Sequence, residues 1–250
     1  MSVKTLQRHW EEFARTNPFW AILANPNRAG DWEHAEFFAT GEADVEHLFS
    51  ELARLELTCR TTRALDFGCG VGRVTRALAT RFGEVVGLDI SPEMVRLAKA
   101  YNEDRPGCTF AVNTSDRIAQ PTGAYDFVYS RLVLQHIPPG LASRYVAELV
   151  RVLSPGGLLV FQLPTPEPRV EPESVGWKRR LPFFLVKAYR RLRDARRRPF
   201  PDMAMHGMEV ANVTQAVSAA GGRTLHVLPD QSHGDTWPGF LYVVTKPANA

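Results

Sequence analysis

The stretch Asp66-Phe67-Gly68-Cys69-Gly70-Val71-Gly72 decides how the rest of this 250-residue chain is interpreted. It overlaps the end of an apolar run at 63–67, which predicts a buried β-strand, and it precedes a helical pattern over 71–82. Glycines at such a turn remove the Cβ atoms that would block a ligand, and the helix N-terminus offers free N–H groups. The turn therefore predicts a binding site for a ligand with a charged or polar tail.

A second acidic residue narrows the type of ligand. Asp89 ends the next predicted strand, where a carboxylate is placed to accept hydrogen bonds from ribose hydroxyls. The dinucleotide fingerprint Gly-x-Gly-x-x-Gly fails, because its third glycine position is occupied by Arg73. Asp66 would also repel a pyrophosphate, whereas it suits a ligand with an α-amino group. The pattern disfavours a nicotinamide dinucleotide.

Short apolar runs alternate with helical patterns from about residue 60 onward, which is typical of a parallel α/β sheet. Seven strands are predicted, at 63–67, 85–89, 108–112, 125–130, 158–163, 224–228 and 240–245. Helices are predicted at 71–82, 91–101, 141–153 and 208–220. The segment Ser154-Pro155-Gly156-Gly157 is expected to end the helix at 141–153 before the fifth strand. The predicted fold class is α/β, a doubly wound sheet of seven strands.

Residues 1–58 predict a helical cap that folds over the edge of the sheet. They are mostly polar and helical in pattern, yet dense in aromatic side chains, which we expect chiefly to pack against the core. These aromatic residues are Trp10, Phe13, Phe19, Trp20, Trp32, Phe37 and Phe38. The core domain is then 59–250, interrupted by a proline-rich, charged insertion at 165–205 that we interpret as a lid.

Composition limits the class of protein further. A hydrophobic content of 44% and a charged content of 23% are ordinary for a soluble globular protein. The cysteines Cys59, Cys69 and Cys108 have no metal-ligand spacing, so we expect reduced thiols and no metal site. We expect neither a signal peptide nor a transmembrane helix, and therefore a cytoplasmic location.

The segment 178–198 concentrates positive charge. It holds ten basic residues and one acid, so it carries +9 while the rest of the chain carries −6 of the total +3. Its apolar residues recur at three- and four-residue steps, which predicts a basic amphipathic helix. Three interpretations stay open: an ordinary surface helix, a lid that presents cations to an acidic or phosphorylated acceptor, or peripheral contact with an anionic membrane. Nucleic acid is not an expected partner, because one basic helix without interleaved aromatics is a small footprint.

Four segments in order resemble the successive motifs of class I S-adenosylmethionine-dependent methyltransferases of the small-molecule type. The segments are 66–73, 86–94, 125–130 and 153–158. The resemblance covers residues 60–165 in motif detail and implies a mostly parallel seven-stranded sheet whose last strand is antiparallel. It also implies S-adenosyl-L-methionine as cofactor and S-adenosyl-L-homocysteine as product.

The resemblance assigns the cofactor contacts as follows. Gly68, Cys69 and Gly70 would contact the methionine part of the cofactor, and Asp66 would hold its amino group directly or through a water. Asp89 would bind the ribose, and Ile90 and Met94 would lie on either side of the adenine. The family often has an acid after the third strand, but this chain has Thr114 there, so Asp116 is chosen for the adenine amino group. Ser130, at the end of the fourth strand, completes the predicted cofactor site.

Candidates for the chemistry follow the fourth strand. His136 is the candidate general base by position, although it is equally placed to bond the backbone and shape the turn at Pro138-Pro139. Arg131 would bind an acidic group of the substrate or pair with a nearby carboxylate. His206 would contact the acceptor, and His233 lies in a similar position; both also suit structural roles.

The sequence thus predicts transfer of a methyl group to oxygen or nitrogen of a small or medium-sized acceptor. The acceptor would be a metabolite, a sugar or a lipid-linked glycan. Two alternatives remain at this stage: an interaction protein that binds S-adenosylmethionine without catalysis, and an NAD-dependent oxidoreductase.

Overall fold

A computed structural model describes residues 2–24, 32–166, 203–230 and 237–248 of the chain. The predicted basic helix at 178–198, most of the predicted lid at 165–205, and His233 lie outside these ranges. Within them, no helix is both long and apolar enough to cross a lipid bilayer.

Seven strands form one sheet in the order β3-β2-β1-β4-β5-β7-β6. They are β1 (Arg63–Phe67), β2 (Glu84–Asp89), β3 (Cys108–Val112), β4 (Tyr125–Ser130), β5 (Leu153–Pro164), β6 (Arg223–Asp230) and β7 (Gly239–Thr245). Only β7 runs antiparallel to its neighbours β5 and β6, and the other pairs are parallel. The predicted fold class, including the antiparallel last strand, is confirmed.

Helices cover both faces of the sheet and the N-terminal region. They are α1 (Val3–Thr16), α2 (Pro18–Ile22), α3 (His34–Arg54), α4 (Arg73–Leu78), α5 (Pro92–Tyr101), α6 (Pro139–Val152) and α7 (Val210–Ala219). A short 3₁₀ helix, Leu134–His136, connects β4 to α6. The prediction that the N-terminal region is helical is confirmed, whereas the domain boundary at 58 stays a prediction.

Alternate residues of the central strands enter two separate cores, as expected of a parallel sheet that is buried on both faces. Leu65, Val128 and Leu159 belong to the core under α6 and α7. Ala64, Phe127 and Val160 belong to the core under α3 and α4. The carboxyl ends of β1, β2 and β4 therefore lie side by side at one edge of a fixed scaffold.

Two predicted boundaries differ from the structure. Helix α4 begins only at Arg73, because Gly72 adopts a left-handed conformation with φ of 85°. The helix before the predicted break at 154–157 does end, at Val152, but β5 begins already at Leu153 rather than at 158 and includes the residues of the break. Leu153 already pairs with Tyr125, and the Gly156 N–H donates to the Lys246 carbonyl oxygen at 2.8 Å. The register between β4 and β5 shifts between Tyr125 and Phe127, so that residues 154–157 of β5 have no paired residue on β4.

Gly41 tests how closely α3 packs on the start of α4. A Cβ atom at this position would overlap the carbonyl group of Arg73. We expect Gly41→Ala to lower the free energy of unfolding by about 1–3 kcal/mol, the usual cost of overpacking. Gly140 in α6 has open space around it and is the matched control, so Gly140→Ala should be neutral or stabilising. Urea denaturation measures both, and equal stability of the two variants would contradict the packing.

Candidate functional site

The glycine turn after β1 is fixed by both its backbone and its neighbours. Gly68, Gly70 and Gly72 all have positive φ, at 80°, 53° and 85°, where a side chain is strained. A Cβ on Gly70 would also lie 2.5 Å from Cδ1 of Ile22, and one on Gly68 would overlap Val133. Other chain segments thus approach the turn as closely as glycine permits.

The carboxylate of Asp89 connects the glycine turn to the start of α5. Its Oδ2 accepts a hydrogen bond from the Gly70 N–H, and its Oδ1 accepts one from the Ser91 N–H, both at 2.9 Å. Ser91 then caps α5 by accepting from the Met94 N–H at 3.1 Å. Burial raises the pKa of Asp89, while the backbone hydrogen bonds oppose that rise.

A cavity lies over the carboxyl ends of β1, β2 and β4. Its empty volume is about 760 Å³, which includes space that is open to solvent. Six of the predicted site residues line it, namely Gly68, Gly70, Asp89, Ile90, Met94 and Arg131. Its walls are otherwise mostly apolar. A mostly apolar cavity with a few convergent polar groups is the usual form of a small-molecule site. Across the described ranges there is no group of three or more side chains suited to hold a metal ion.

The N-terminal helices form the cavity wall opposite the sheet. Leu6 and Trp10 of α1 and Ile22 of α2 line it. Glu11 holds α1 in place, because its carboxylate accepts from the Ser91 hydroxyl at 2.6 Å and from the Glu93 N–H at 3.1 Å. The sequence predicted a cap here from its aromatic density, but identified none of its residues with the site.

Comparison with known proteins agrees with this geometry. Residues 65–161 match the family model described as "Methyltransferase domain". This segment of the chain is therefore similar to a methyltransferase domain. The matched range begins in β1 and ends in β5, so it contains the glycine turn, Asp89 and the segment after β4.

Two curated methyltransferases are similar to part of the chain. A 2-methyl-6-phytyl-1,4-hydroquinone methyltransferase from Synechocystis is 31% identical over 160 residues, which are 64% of this chain and 50% of that protein. A trans-aconitate 2-methyltransferase from Streptomyces avermitilis is 34% identical over 169 residues, 62% of each chain. The chain therefore spans only 50–62% of the length of these relatives.

A solved structure resembles the whole fold. The magnesium protoporphyrin IX methyltransferase of Synechocystis, solved with bound SAH, superposes with a TM-score of 0.61 at 17% identity. The match covers 97% of this chain and 99% of that one. At this identity the likeness supports the fold alone.

Three predicted cofactor residues, Asp66, Cys69 and Ser130, are buried and do not line the cavity. Asp66 accepts from the Thr75 hydroxyl at 2.7 Å, and burial raises its pKa to about 6. The Ser130 hydroxyl donates to the Phe67 carbonyl oxygen at 3.0 Å. In this structure Asp66, Cys69 and Ser130 lie behind the surface of the cavity. Their contact with a cofactor stays a prediction.

The residue after β3 that reaches the cavity is Asn113, which the sequence did not single out. Its N–H donates to the Asp89 carbonyl oxygen at 2.8 Å, so the pairing of β3 with β2 continues one residue past the strand. Asp116 instead lies at the surface, where it pairs with Arg144 at 3.5 Å. A count of residues from the strand end could not have separated these two positions.

Both ring nitrogens of His136 are engaged inside the protein. Nδ1 lies 2.9 Å from the Ala204 carbonyl oxygen and must donate to it, so Nε2 accepts from the Gln135 amide at 3.0 Å. Burial lowers the pKa of His136 to about 4, and the residue does not line the cavity. The N–H of His206 donates to the Gln135 carbonyl oxygen at 2.6 Å, and this side chain does not line the cavity either. The geometry favours a structural role for both, and their catalytic or substrate roles remain untested.

The segment after β4 bends sharply toward the glycine turn. Leu132 has φ of 60°, a left-handed conformation that costs a non-glycine residue about 1–2 kcal/mol. The bend places Val133 on Gly68 and Arg131 in the cavity wall. Strain of this kind is found where a site requires a particular backbone path.

The neutral form of His136 should be visible in the pH dependence of stability. The unfolded chain binds this proton below about pH 6.5 and the folded protein only below about 4, so the contribution of His136 is lost as pH falls between these values. The raised pKa of Asp66 acts in the opposite direction over part of this range. The stability difference between wild type and His136→Gln isolates the histidine, and should grow by up to about 1.4 kcal/mol per pH unit from 4 to 6.5. A difference that does not vary with pH would contradict a buried neutral His136.

Proposed function

We propose that the protein transfers a methyl group from S-adenosyl-L-methionine to an oxygen or nitrogen atom of a small or medium-sized acceptor and releases S-adenosyl-L-homocysteine. The observation that carries this proposal is the cavity in which Asp89 and the glycine turn face each other at adjacent strand ends. The names of the two curated relatives, a hydroquinone and a trans-aconitate methyltransferase, support a small-molecule acceptor.

The donor groups of the cavity suit an adenosyl ligand. The Asp89 carboxylate is placed to accept both ribose hydroxyls. Ile90 and Met94 line the cavity next to it and would pack on the two faces of the adenine, and Asn113 would meet the polar edge of the ring. Gly68 and Gly70 line the cavity and would contact the methionine chain. Asp66, Cys69 and Ser130 would act from beneath the turn, Asp66 through its negative charge.

The hydrogen bonds of the turn disfavour a dinucleotide. A pyrophosphate needs free N–H groups at the turn. Here the N–H groups of Gly68 and Cys69 both donate to the Leu88 carbonyl oxygen, at 2.7 and 3.0 Å, and that of Gly70 donates to Asp89. A nicotinamide cofactor would have to displace these bonds.

The chain acts mainly by positioning and by excluding water. When bound, S-adenosylmethionine supplies a methyl group on a sulfonium, so that an acceptor lone pair forms the new bond to carbon while the carbon–sulfur electrons return to sulfur. Leu6, Trp10 and Ile22 cover one side of the cavity and would limit the access of water to the transferred methyl group. Of the described residues that line it, Asp89 is the one carboxylate and none is a histidine. We therefore propose that a proton lost by the acceptor leaves to solvent through the open side of the cavity rather than to His136.

The lipid-linked acceptors and the membrane contact predicted for 178–198 rest on residues outside the described ranges. They remain predictions, as does a cytoplasmic location.

The direct test of the proposed function is incubation with S-adenosylmethionine labelled in its methyl group and a metabolite extract, followed by mass spectrometry. Labelled products that are absent without the protein are expected. Binding of S-adenosylmethionine without labelled product would favour the non-catalytic interaction protein, and tight binding of NAD instead would favour the oxidoreductase.

Asp89→Ala should abolish measurable binding of S-adenosylhomocysteine, because it removes the acceptor proposed for both ribose hydroxyls. Asp104→Ala, which changes an exposed carboxylate that does not line the cavity, is the control and should bind like wild type. Calorimetry measures affinity, and the milder Asp89→Asn serves if the alanine variant unfolds. Unchanged affinity in either Asp89 variant would refute the cofactor assignment.

Substitutions of Asn113 and Asp116 test which of the two residues contacts the adenine. Asn113→Ala should weaken S-adenosylhomocysteine binding by about tenfold, the loss of roughly one good hydrogen bond. Asp116→Ala should change it less than twofold, because Asp116 pairs with Arg144 at the surface. The reverse ranking in the same titration would restore Asp116 as the adenine contact.

A further inference from the structure

Two arginines in the cavity wall share a single carboxylate. Nη1 of Arg73 lies 2.6 Å from Oδ2 of Asp44, and Nη1 of Arg131 lies 2.8 Å from Oδ1 of the same residue. Nη1 of Arg73 also donates to the Thr40 hydroxyl at 3.0 Å. Both guanidinium groups are largely buried, with 4% and 18% of the side chains of Arg73 and Arg131 exposed. Asp44 and Thr40 both come from α3.

This cluster has more hydrogen-bond donors than acceptors. Each guanidinium has five N–H donors, whereas each oxygen of Asp44 already accepts from one arginine. Nε of Arg73 is buried without a hydrogen-bond partner among the described residues. Asp66 and Asp230 add negative charge near Arg73 and Arg131, which offsets the positive charge of the two guanidinium groups. A ligand would therefore be attracted by hydrogen bonds from the guanidinium groups more than by net positive charge. A buried donor without an acceptor is unfavourable, and Arg131, whose side chain is 18% exposed, is the arginine of the cluster that a ligand oxygen can reach.

The position of the cluster separates it from the adenosyl end of the cavity. Arg131 follows β4 and Asp89 ends β2, with β1 between them. Strands are spaced about 4.8 Å apart, so the two positions are about 10 Å apart across the sheet. Trp10, Val133 and Ile137 provide an apolar surface in the same cavity. The β4 end thus offers an apolar surface beside a guanidinium.

We propose that the acceptor is an amphiphilic carboxylic acid whose carboxylate binds the Arg73–Asp44–Arg131 cluster and whose apolar part packs against Trp10. A planar carboxylate matches the paired N–H groups of a guanidinium. This inference rests on the proposed function, since it names the acceptor class of that site. The methionine carboxylate of the cofactor has the same chemistry, and the test separates the two sources.

The test compares benzoate with benzamide, which has the same shape without the charge. Both are titrated by calorimetry into protein saturated with S-adenosylhomocysteine. Benzoate should bind at least tenfold more tightly than benzamide to wild type, and Arg131→Gln should abolish this preference. Arg54→Gln, which alters a surface arginine paired with Glu51, is the matched control and should retain the preference.

Asp44→Asn gives a result that a merely structural cluster would not. Removing the carboxylate that competes for the guanidinium groups should tighten benzoate binding, by about threefold or more, whereas Arg131→Gln weakens it. If Asp44→Asn fails to fold, Arg131→Lys replaces it and should keep part of the benzoate preference, because it keeps the charge. Weaker benzoate binding in Asp44→Asn, or no preference in Arg131→Lys, would overturn the proposal.

A further titration tests whether the cluster binds the cofactor's carboxylate instead. It uses 5′-methylthioadenosine, which lacks the amino-acid carboxylate of S-adenosylhomocysteine. The proposal expects Arg131→Gln to change the affinities for S-adenosylhomocysteine and 5′-methylthioadenosine by less than twofold. A tenfold loss for the former alone would assign the cluster to the cofactor and overturn the proposal. Equal affinity of wild type for benzoate and benzamide would also overturn it. Failure of wild type to bind S-adenosylhomocysteine at all would refute the proposed function instead.

Discussion

The hydrogen bond from the Gly70 N–H to the Asp89 carboxylate is the interaction on which the site depends. It joins the turn after β1 to the end of β2, and the second oxygen of Asp89 fixes the start of α5 through Ser91. One carboxylate therefore sets the relative positions of the turn and of the strand end that would hold a ribose. Because Asp89 also faces the cavity, a ligand with two hydroxyl groups would meet acceptors that are already oriented.

The N-terminal helices form the wall of the cavity opposite the sheet. Glu11 binds the Ser91 hydroxyl and the Glu93 N–H, so α1 docks next to Asp89. Ile22 packs on Gly70 as closely as the glycine allows. Residues far apart in the chain thus line the cavity, and the N-terminal helices would limit the access of water to the place where a methyl group would move.

The parts of the structure that follow from local pattern could be predicted from the sequence. The positions of the strands and of the glycine turn depend on apolar runs and on residues within a short stretch, and the structure has them where the sequence predicts them, with Asp89 at the end of β2. Asn113 could not be distinguished from Asp116, because the extension of the β3–β2 pairing depends on tertiary contacts. His136 was a reasonable candidate by position, but its partner Ala204 is 68 residues away and could not be inferred. Trp10 and Ile22 were missed as site residues for the same reason.

A crystal structure of the protein with bound S-adenosylhomocysteine tests the central claim most directly. We predict that both ribose hydroxyls lie within hydrogen-bond distance of the Asp89 carboxylate. We also predict that the adenine lies between Ile90 and Met94, and that Glu11 still holds α1 over the ligand. A ligand bound elsewhere, or bound in the cavity with Asp89 still directed only at Gly70 and Ser91, would contradict it.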